Sequence, residues 1–559
     1  MPNNSPMHEP PSQTQQNKLH ILKHAGIITS ITLVSRILGY VRDQRITFLL
    51  GTLPASDAYT VAYRIPNLLR RLVAEGAMTA SFIPVFTHLL KEEGREKVWE
   101  FANKFFWTMA FVLTGLAVVG VIFSPFFIDL VASGFRHKPS YDLTVYLNRI
   151  IFPYVFFIGL AALASAILNS FHSFAVPAAT PIALNISIIT LSFFAFRFQE
   201  PAVSLAIGVV LGGLLQLLIQ IPQLRKHGMT FHFGVSLTHP SIRKVARLMF
   251  PVFFGVGVAQ LGLIIDTQFA SYLFAGAQAS LYVADRVMEL ILGGYAISVA
   301  TVILPMLSQQ AAENQIADMR KTLAFSLRIV SFIAIPSTVG LIVLRRPIIE
   351  VLFQHGKFNA QSTMITAPPL MFFAFGLCAF ALIKVVVPAF YSLHDTKTPV
   401  KIAATALSFN LISNFLVSRP EHVEGSLRHV FGFFAGIANT FHIPSLQNGG
   451  LALSTSLAAY INLSILVYVF QKNHGRFVTR EVLISVFKAA LSSLAMGLVC
   501  WYVIRIPGWY TGQHFAKQVV AFTITLGLGT AAYFGLAMIM RCPELEEVWG
   551  IATRRKVKE

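Results

Sequence analysis

Between Ile27 and Leu50 the chain reads IITSITLVSRILGYVRDQRITFLL. As a helix rising 1.5 Å per residue, this run is long enough to cross a hydrocarbon core of about 30 Å. It nevertheless carries Arg36, Arg42, Asp43 and Arg45. A charged side chain at the centre of a bilayer costs about 2.5–3.5 kcal/mol on insertion scales, so such residues face a partner or a water-filled cavity. At 100° per residue Arg36 and Asp43 fall on one face and Arg45 points roughly opposite. An internal ion pair with one arginine snorkelling to the interface is the structural alternative. The second span weighs against it.

That span, DAYTVAYRIPNLLRRLVAEG (57–76), adds Asp57, Arg64, Arg70, Arg71 and Glu75, with Pro66 opening the helix in its middle. Arg71 and Glu75 are spaced to pair at i,i+4. The neighbourhood stays cationic after every such pairing. Guanidinium groups are planar forks that hold phosphate oxygens bidentately and keep their charge when partly desolvated, so a phosphate-bearing substrate fits a cavity lined this way.

Composition sets the class. The 559 residues are 55% hydrophobic and 12% charged, with a mean hydropathy of +0.64, far more apolar than a soluble chain. The expected fold is an all-α polytopic membrane protein with about fourteen transmembrane helices. A net charge of +19 then belongs to cytoplasmic loops facing anionic phospholipid and not to nucleic-acid binding, for which no basic stretch is interleaved with aromatic platforms. Cys378, Cys500 and Cys542 have no metal or disulfide spacing. Residues 1–17 are polar and lack a basic n-region before an apolar stretch, so they read as a disordered cytoplasmic tail.

Lys and Arg concentrate in alternate connections, such as Arg225, Lys226, Arg243 and Lys244. The positive-inside rule therefore places both termini in the cytoplasm. The chain also repeats itself at a shift of 222 residues. YTVAYRIP (59–66) lies over LYVADRVM (281–288), matching Arg64 to Arg286, and Pro125, Gly134, His172 and Pro177 lie over Pro347, Gly356, His394 and Pro399. A shift that spans six helices relates two lobes of equal orientation. The expected organisation is a tail (1–18), a first lobe (19–225), a cytoplasmic linker (226–242), a second lobe (243–475), two further helices (476–541) and a basic tail (542–559). Asp285, Arg286 and Glu289 bring charge into the second lobe, so a two-sided cationic cavity is expected, with Arg64 and Arg286 as repeat mates.

Asp266 is a lone carboxylate in GLIIDTQF; Asn410 and Asn414 share a helix face, and Thr455 follows in the twelfth span. Oxygen ligands of this kind suit Na⁺, or Asp266 carries a proton. Hydrogen-bonding glue between helices is the plainer account. The histidines have no HExxH spacing, and there is no Walker A motif or nucleophile elbow, which disfavours an ATP-driven pump or a hydrolase.

The segments SRILGYVRD, DAYTVAYRIPNLLRRLVAEGAMTASFIPVF, ADRVMEL, LFQHGKF and PAFYSLHDTKTPVKIA together resemble the MurJ (MviN) lipid II flippases of the MOP exporter superfamily, from about Leu19 to the C-terminus. The resemblance implies two six-helix lobes around a V-shaped cavity, a groove from the last two helices for a polyprenyl tail, and no enzymatic activity. Its implied cargo is lipid II, the undecaprenyl-diphosphate-linked peptidoglycan precursor, moved from the cytoplasmic to the periplasmic leaflet by alternating access and handed to the cell-wall synthesis machinery. It further implies cavity roles for Arg36, Arg42, Asp43, Asp57, Arg70 and Arg286, with Asp285 also present. It implies no organic cofactor and a sodium site at Asp266, Asn410, Asn414 and Thr455, where Asn414 replaces a second carboxylate. Residues 418–450 are long for this connection, and Phe431, Phe433, Phe434 and Ile437 suit a short interfacial amphipathic helix. Competing classes are a cation-coupled drug or other polyprenyl-linked oligosaccharide exporter of the superfamily, and a polyprenyl-phosphate glycosyltransferase. A drug exporter calls for aromatic or acidic cavity walls, a transferase for paired acidic residues on a surface loop, and neither feature stands out.

Overall fold

A computed structural model describes residues 13–72, 78–420, 423, 427–510 and 514–545. Among them the regular structure is helical. In chain order the helices are α1 (Gln13–Leu50), α2 (Pro54–Arg70), α3 (Thr79–Glu92), α4 (Gly94–Ile122), α5 (Ser124–Ala132), α6 (Ser140–Ile151), α7 (Tyr154–Ser170), α8 (Ala175–Ser192), α9 (Pro201–Leu218), α10 (Ile221–Lys226), α11 (Pro240–Ser271), α12 (Ala277–Ala312), α13 (Ile316–Val343), α14 (Arg345–Phe353), α15 (Ala360–Ser392), α16 (Lys397–Val417), α17 (Leu427–Thr440), α18 (Gln447–His474), α19 (Arg480–Ile504) and α20 (Phe515–Ile539).

By length and composition ten helical stretches among the described residues can cross a membrane, and the bent pair Ala277–Ala296 and Ser298–Ala312 makes an eleventh. The expected fourteen is not established by this count. The remaining expected spans lie in charged α1, in α2 and α3, which are 17 and 14 residues long, and in α11.

The chain divides into two compact units. The first comprises Met1–Leu49, Ala62–Phe127 and Thr144–Gly257; the second comprises Leu50–Val61, Ile128–Leu143 and Val258–Glu559. In the first unit α7 packs on α3, α4 and α9, and α8 packs on α9. Apolar packing gives no net drive for helix association in lipid, so buried polar groups carry specificity there. Gln220 is fully buried, with Nε2 donating to Ala161 O (3.0 Å) and Oε1 accepting from Ser165 (2.9 Å).

In the second unit α15 is central, packed on α12, α13 and α18; α16 lies on α18, and α19 on α13 and α20. Asn448 of α18 donates to Ser280 Oγ of α12 and to the carbonyl of Ile365 in α15, both at 2.9 Å. Past α20 the chain turns back and buries Glu544, which accepts from Arg328 Nε of α13 (2.5 Å) and Ser485 Oγ of α19 (2.8 Å).

The repeat is visible in local geometry. Helix α7 ends with His172 at φ 57° and α15 with His394 at φ 59°. In both, the amide of the histidine bonds back three residues and the next amide bonds back five, to Leu168 O and Phe390 O respectively. That is a left-handed helix stop of the Schellman type. Histidines that offered no metal spacing thus serve as matching caps, 222 residues apart.

A cationic helix, a capped turn and an oxygen cluster

In the first unit, Arg42 of α1 bonds Asp43 Oδ1 through Nε (2.9 Å) and Nη2 (2.7 Å), and its Nη1 donates to Asn185 Oδ1 of α8 (3.0 Å). Asn185 Nδ2 in turn donates to the carbonyl of Ser35 (3.0 Å). The fork is therefore fixed by a carboxylate and a neutral amide. Arg45, on the other side of the helix, donates to Ser192 Oγ (3.2 Å) and stacks over Phe193 at 4.3 Å. Arg36 is half-buried and has no hydrogen-bond or ion-pair partner among the described residues. Arg64, Arg70 and Arg71 are half-buried at the end of this unit's part of α2, where Arg70 Nε donates to Asn67 (2.9 Å). Glu75, expected opposite Arg71, lies outside the described residues.

In the second unit, Asp57 is 3% exposed and spends both oxygens on the start of α12: Oδ2 accepts from Gly276 N (2.6 Å) and Oδ1 from Ala279 N (2.9 Å). These are orphan amides of a helix start, where the dipole favours an anion. Across the same turn Lys138 Nζ donates to the carbonyls of Ser271 (2.7 Å) and Leu273, at the end of α11. An anion on one helix start and a cation on the neighbouring helix end bracket the α11–α12 turn. Asp57 is thus engaged by backbone amides at the start of α12. Arg286 donates to Glu289 Oε2 (2.6 Å) and lies 4.9 Å over the Tyr282 ring, with half-buried Asp285 beside it.

Also in the second unit, the four expected oxygen-bearing residues meet. Asn414 Nδ2 donates to Asp266 Oδ1 (2.9 Å) and Asn410 Oδ1 (3.2 Å), Thr455 Oγ1 donates to Asp266 Oδ2 (3.0 Å), and Asn410 Nδ2 reaches Thr455 (3.2 Å). Asn414 is fully buried and its Oδ1 has no hydrogen-bond partner.

A cavity of about 400 Å³ opens between α12, α13, α14, α19 and α20. Its walls are almost wholly apolar, among them Val287, Pro336, Gly340, Met496, Phe522 and Tyr533. The one large hydroxyl is used up: Tyr533 donates to Phe332 O at 2.6 Å.

Sequence reasoning picked out the charges but gave Asn185 no role and counted Lys138 only as a loop cation. A lone amide inside the apolar run of α8 was the available signal for the first; nothing local marks the second.

Apolar helical bundles with spans of this length and composition define a polytopic membrane protein. Residues 46–520 match the profile of the family described as "Lipid II flippase MurJ". A "Probable lipid II flippase MurJ" of Vibrio cholerae serotype O1 is 33% identical over 531 residues, 93% of this chain and 96% of that protein. A "Lipid II flippase MurJ" of Burkholderia cenocepacia is 32% identical over 92% of this chain and 96% of its own length. A solved structure described as "Lipid II flippase MurJ, inward closed conformation" superposes with a TM-score of 0.73 at 25% identity, covering 91% of this chain and 98% of that one. An inward-facing MATE transporter of the MOP superfamily shares the fold alone, with a TM-score of 0.59 at 14% identity and 81% and 98% coverage. The chain belongs to the MurJ lipid II flippase family.

Proposed function

We propose that this membrane protein translocates lipid II across the bacterial inner membrane, exposing a headgroup site alternately to the two sides, and that it acts as a transporter without catalysing a covalent step. The observation that carries the reading is the cationic stretch of α1. There Arg42 is pre-oriented by Asp43 and Asn185, while Arg36 offers a guanidinium with no partner among the described residues. Such forks match the oxygens of a diphosphate. Arg64 and Arg70, and in the second unit Arg286 with Asp285, are further candidate headgroup contacts. The apolar cavity beside α19 and α20 suits the polyprenyl tail, which gains nothing from polar walls. Both termini lie in the cytoplasm, basic connections rest on anionic phospholipid, and the product serves cell-wall synthesis on the far side.

The Asp266 cluster fits a monovalent cation: one carboxylate, two amide carbonyls and a hydroxyl form a hard oxygen set of single negative charge. Asn414 Oδ1, buried without a partner, is a donor-poor oxygen of the kind a cation satisfies. Asp266, Asn410, Asn414 and Thr455 would hold Na⁺, and bound there it supplies the charge that lets the carboxylate stay ionised in a partly dehydrated site.

The test is lipid II flux in cells depleted of the native protein and supplied with variants at equal membrane abundance. Loss of one charge-assisted contact is expected to cost about 1.5–3 kcal/mol of headgroup binding. Arg36→Ala is expected to insert normally and fail to support flux; wild-type flux would overturn the assignment.

A further inference from the structure

The segment between α16 and α18 has a helix of its own, α17, tied at Asn439 and at Leu446. Leu446 N donates to Val417 O (2.8 Å), and Arg419 Nη1 donates to Asn439 Oδ1 (2.6 Å). Helix α17 packs on α16 and presents two phenylalanines to a specific place. Phe431, 8% exposed, has its ring centroid 4.8 Å from that of Phe415 and 5.4 Å from that of Phe269; Phe434 stacks on Phe415 at 4.9 Å. Phe269 and Phe415 touch each other at 4.6 Å.

Phe269 lies one helical turn beyond Asp266 on α11, and Phe415 directly follows Asn414 on α16. The Asp266–Asn414 hydrogen bond and the Phe269–Phe415 ring contact therefore bridge the same helix pair in successive layers, one polar and one aromatic. The aromatic layer lies toward the C-terminal ends of α11 and α16, and half of it comes from α17.

We propose that α17 is a plug: Phe431 and Phe434 complete an aromatic layer that closes the oxygen cluster from the C-terminal ends of α11 and α16, so that ions and water reach Asp266 only from elsewhere. The four phenyl rings themselves offer passing water or ions no hydrogen-bonding group. Excluding water on that side strengthens every electrostatic interaction of the carboxylate. The plug's purpose rests on the ion reading given above, but its existence does not.

The test keeps the two apart. In full-length protein with Cys378, Cys500 and Cys542 replaced by alanine, Asn414→Cys places a thiol in the cluster directly beneath the rings. Its reaction with a charged methanethiosulfonate is followed in nanodiscs. The double variant Phe431→Ala/Phe434→Ala is expected to react about tenfold faster than the parent, as the loss of one or two aromatic contacts predicts for an opening equilibrium. Phe431→Leu, which keeps an apolar side chain in the layer, is expected to stay within about twofold. A second buried reporter on α19, Ser492→Cys, is expected to stay slow throughout. An unchanged rate in the double variant overturns the plug, as does equal acceleration of both reporters, which would mean general loosening. With Asn414 intact, release of ²²Na⁺ from purified protein is the second readout. Absence of Asp266-dependent ²²Na⁺ binding in the parent would overturn the ion reading and leave the thiol result to decide the plug.

Discussion

Asn185 gives Arg42 a second anchor without adding charge to the helix. A second carboxylate there would cancel the cation that a diphosphate needs, whereas an amide oxygen orients one nitrogen and leaves the net charge intact. Asn185→Ala is therefore expected to weaken lipid II binding about 3- to 10-fold, the worth of one net hydrogen bond, with insertion unchanged. Titration of purified protein in nanodiscs checks this, and parental affinity would show that Asp43 alone suffices. The charges of α1 were legible because charge inside an apolar run is costly whatever the fold. Asn185 was not, because 143 residues separate it from Arg42 and only folding joins them. Arg286 was legible as a charge through its repeat mate Arg64, but its engagement by Glu289 and Tyr282 depends on rotamers that spacing does not fix.

At the scale of elements, the turn between α11 and α12 shows what the Asp57 carboxylate holds in the fold. Asp57 stands seven residues before Arg64 in the same run, so sequence proximity grouped it with the arginines. In the structure its two oxygens accept from the amides of Gly276 and Ala279 at the start of α12. The turn also demands glycine at 276, where φ is 96° and an added Cβ would lie 2.4 Å from Thr52 O. Gly276→Ala is expected to destabilise by about 1–3 kcal/mol through strain and displacement of the cap, lowering Tm by at least about 2 °C. Scanning fluorimetry on purified protein measures it; an unchanged Tm would mean the turn relaxes freely. Helix existence was readable along most of the chain from hydropathy. The stops at His172 and His394 were not, because a non-glycine residue at positive φ is selected by the packing around it.

For the whole molecule, duplication was the most legible property, since matched residues at a constant shift need no knowledge of packing. The cavity beside α19 and α20 was legible only through family resemblance, because apolar walls and apolar cores have the same composition. Its geometry yields a separable prediction. Gly340 lines it, and an added Cβ there meets only Met496 Cε, at 3.6 Å. Gly340→Phe is expected to fill the cavity and reduce affinity for full-length lipid II about tenfold, the worth of one to two displaced methylene contacts. Binding of a headgroup analogue with a short chain is expected to stay at the parental level. Equal loss for both ligands would place the tail elsewhere.

The Arg328–Glu544 pair has a consequence for how the chain is made. Arg328 enters the membrane with α13, 216 residues before its carboxylate is synthesised, an interval of tens of seconds at roughly 5–20 residues per second. Throughout that time a guanidinium that is only 16% exposed in the folded protein waits for Glu544. Removing one member of a buried pair typically costs about 3–5 kcal/mol. A nascent protein that has not yet reached Glu544 therefore carries a buried charge without its counter-ion. Chains ended after Ile539 are expected to insert but to be degraded several-fold faster than the parent in a pulse-chase, with Glu544→Ala showing the same short half-life.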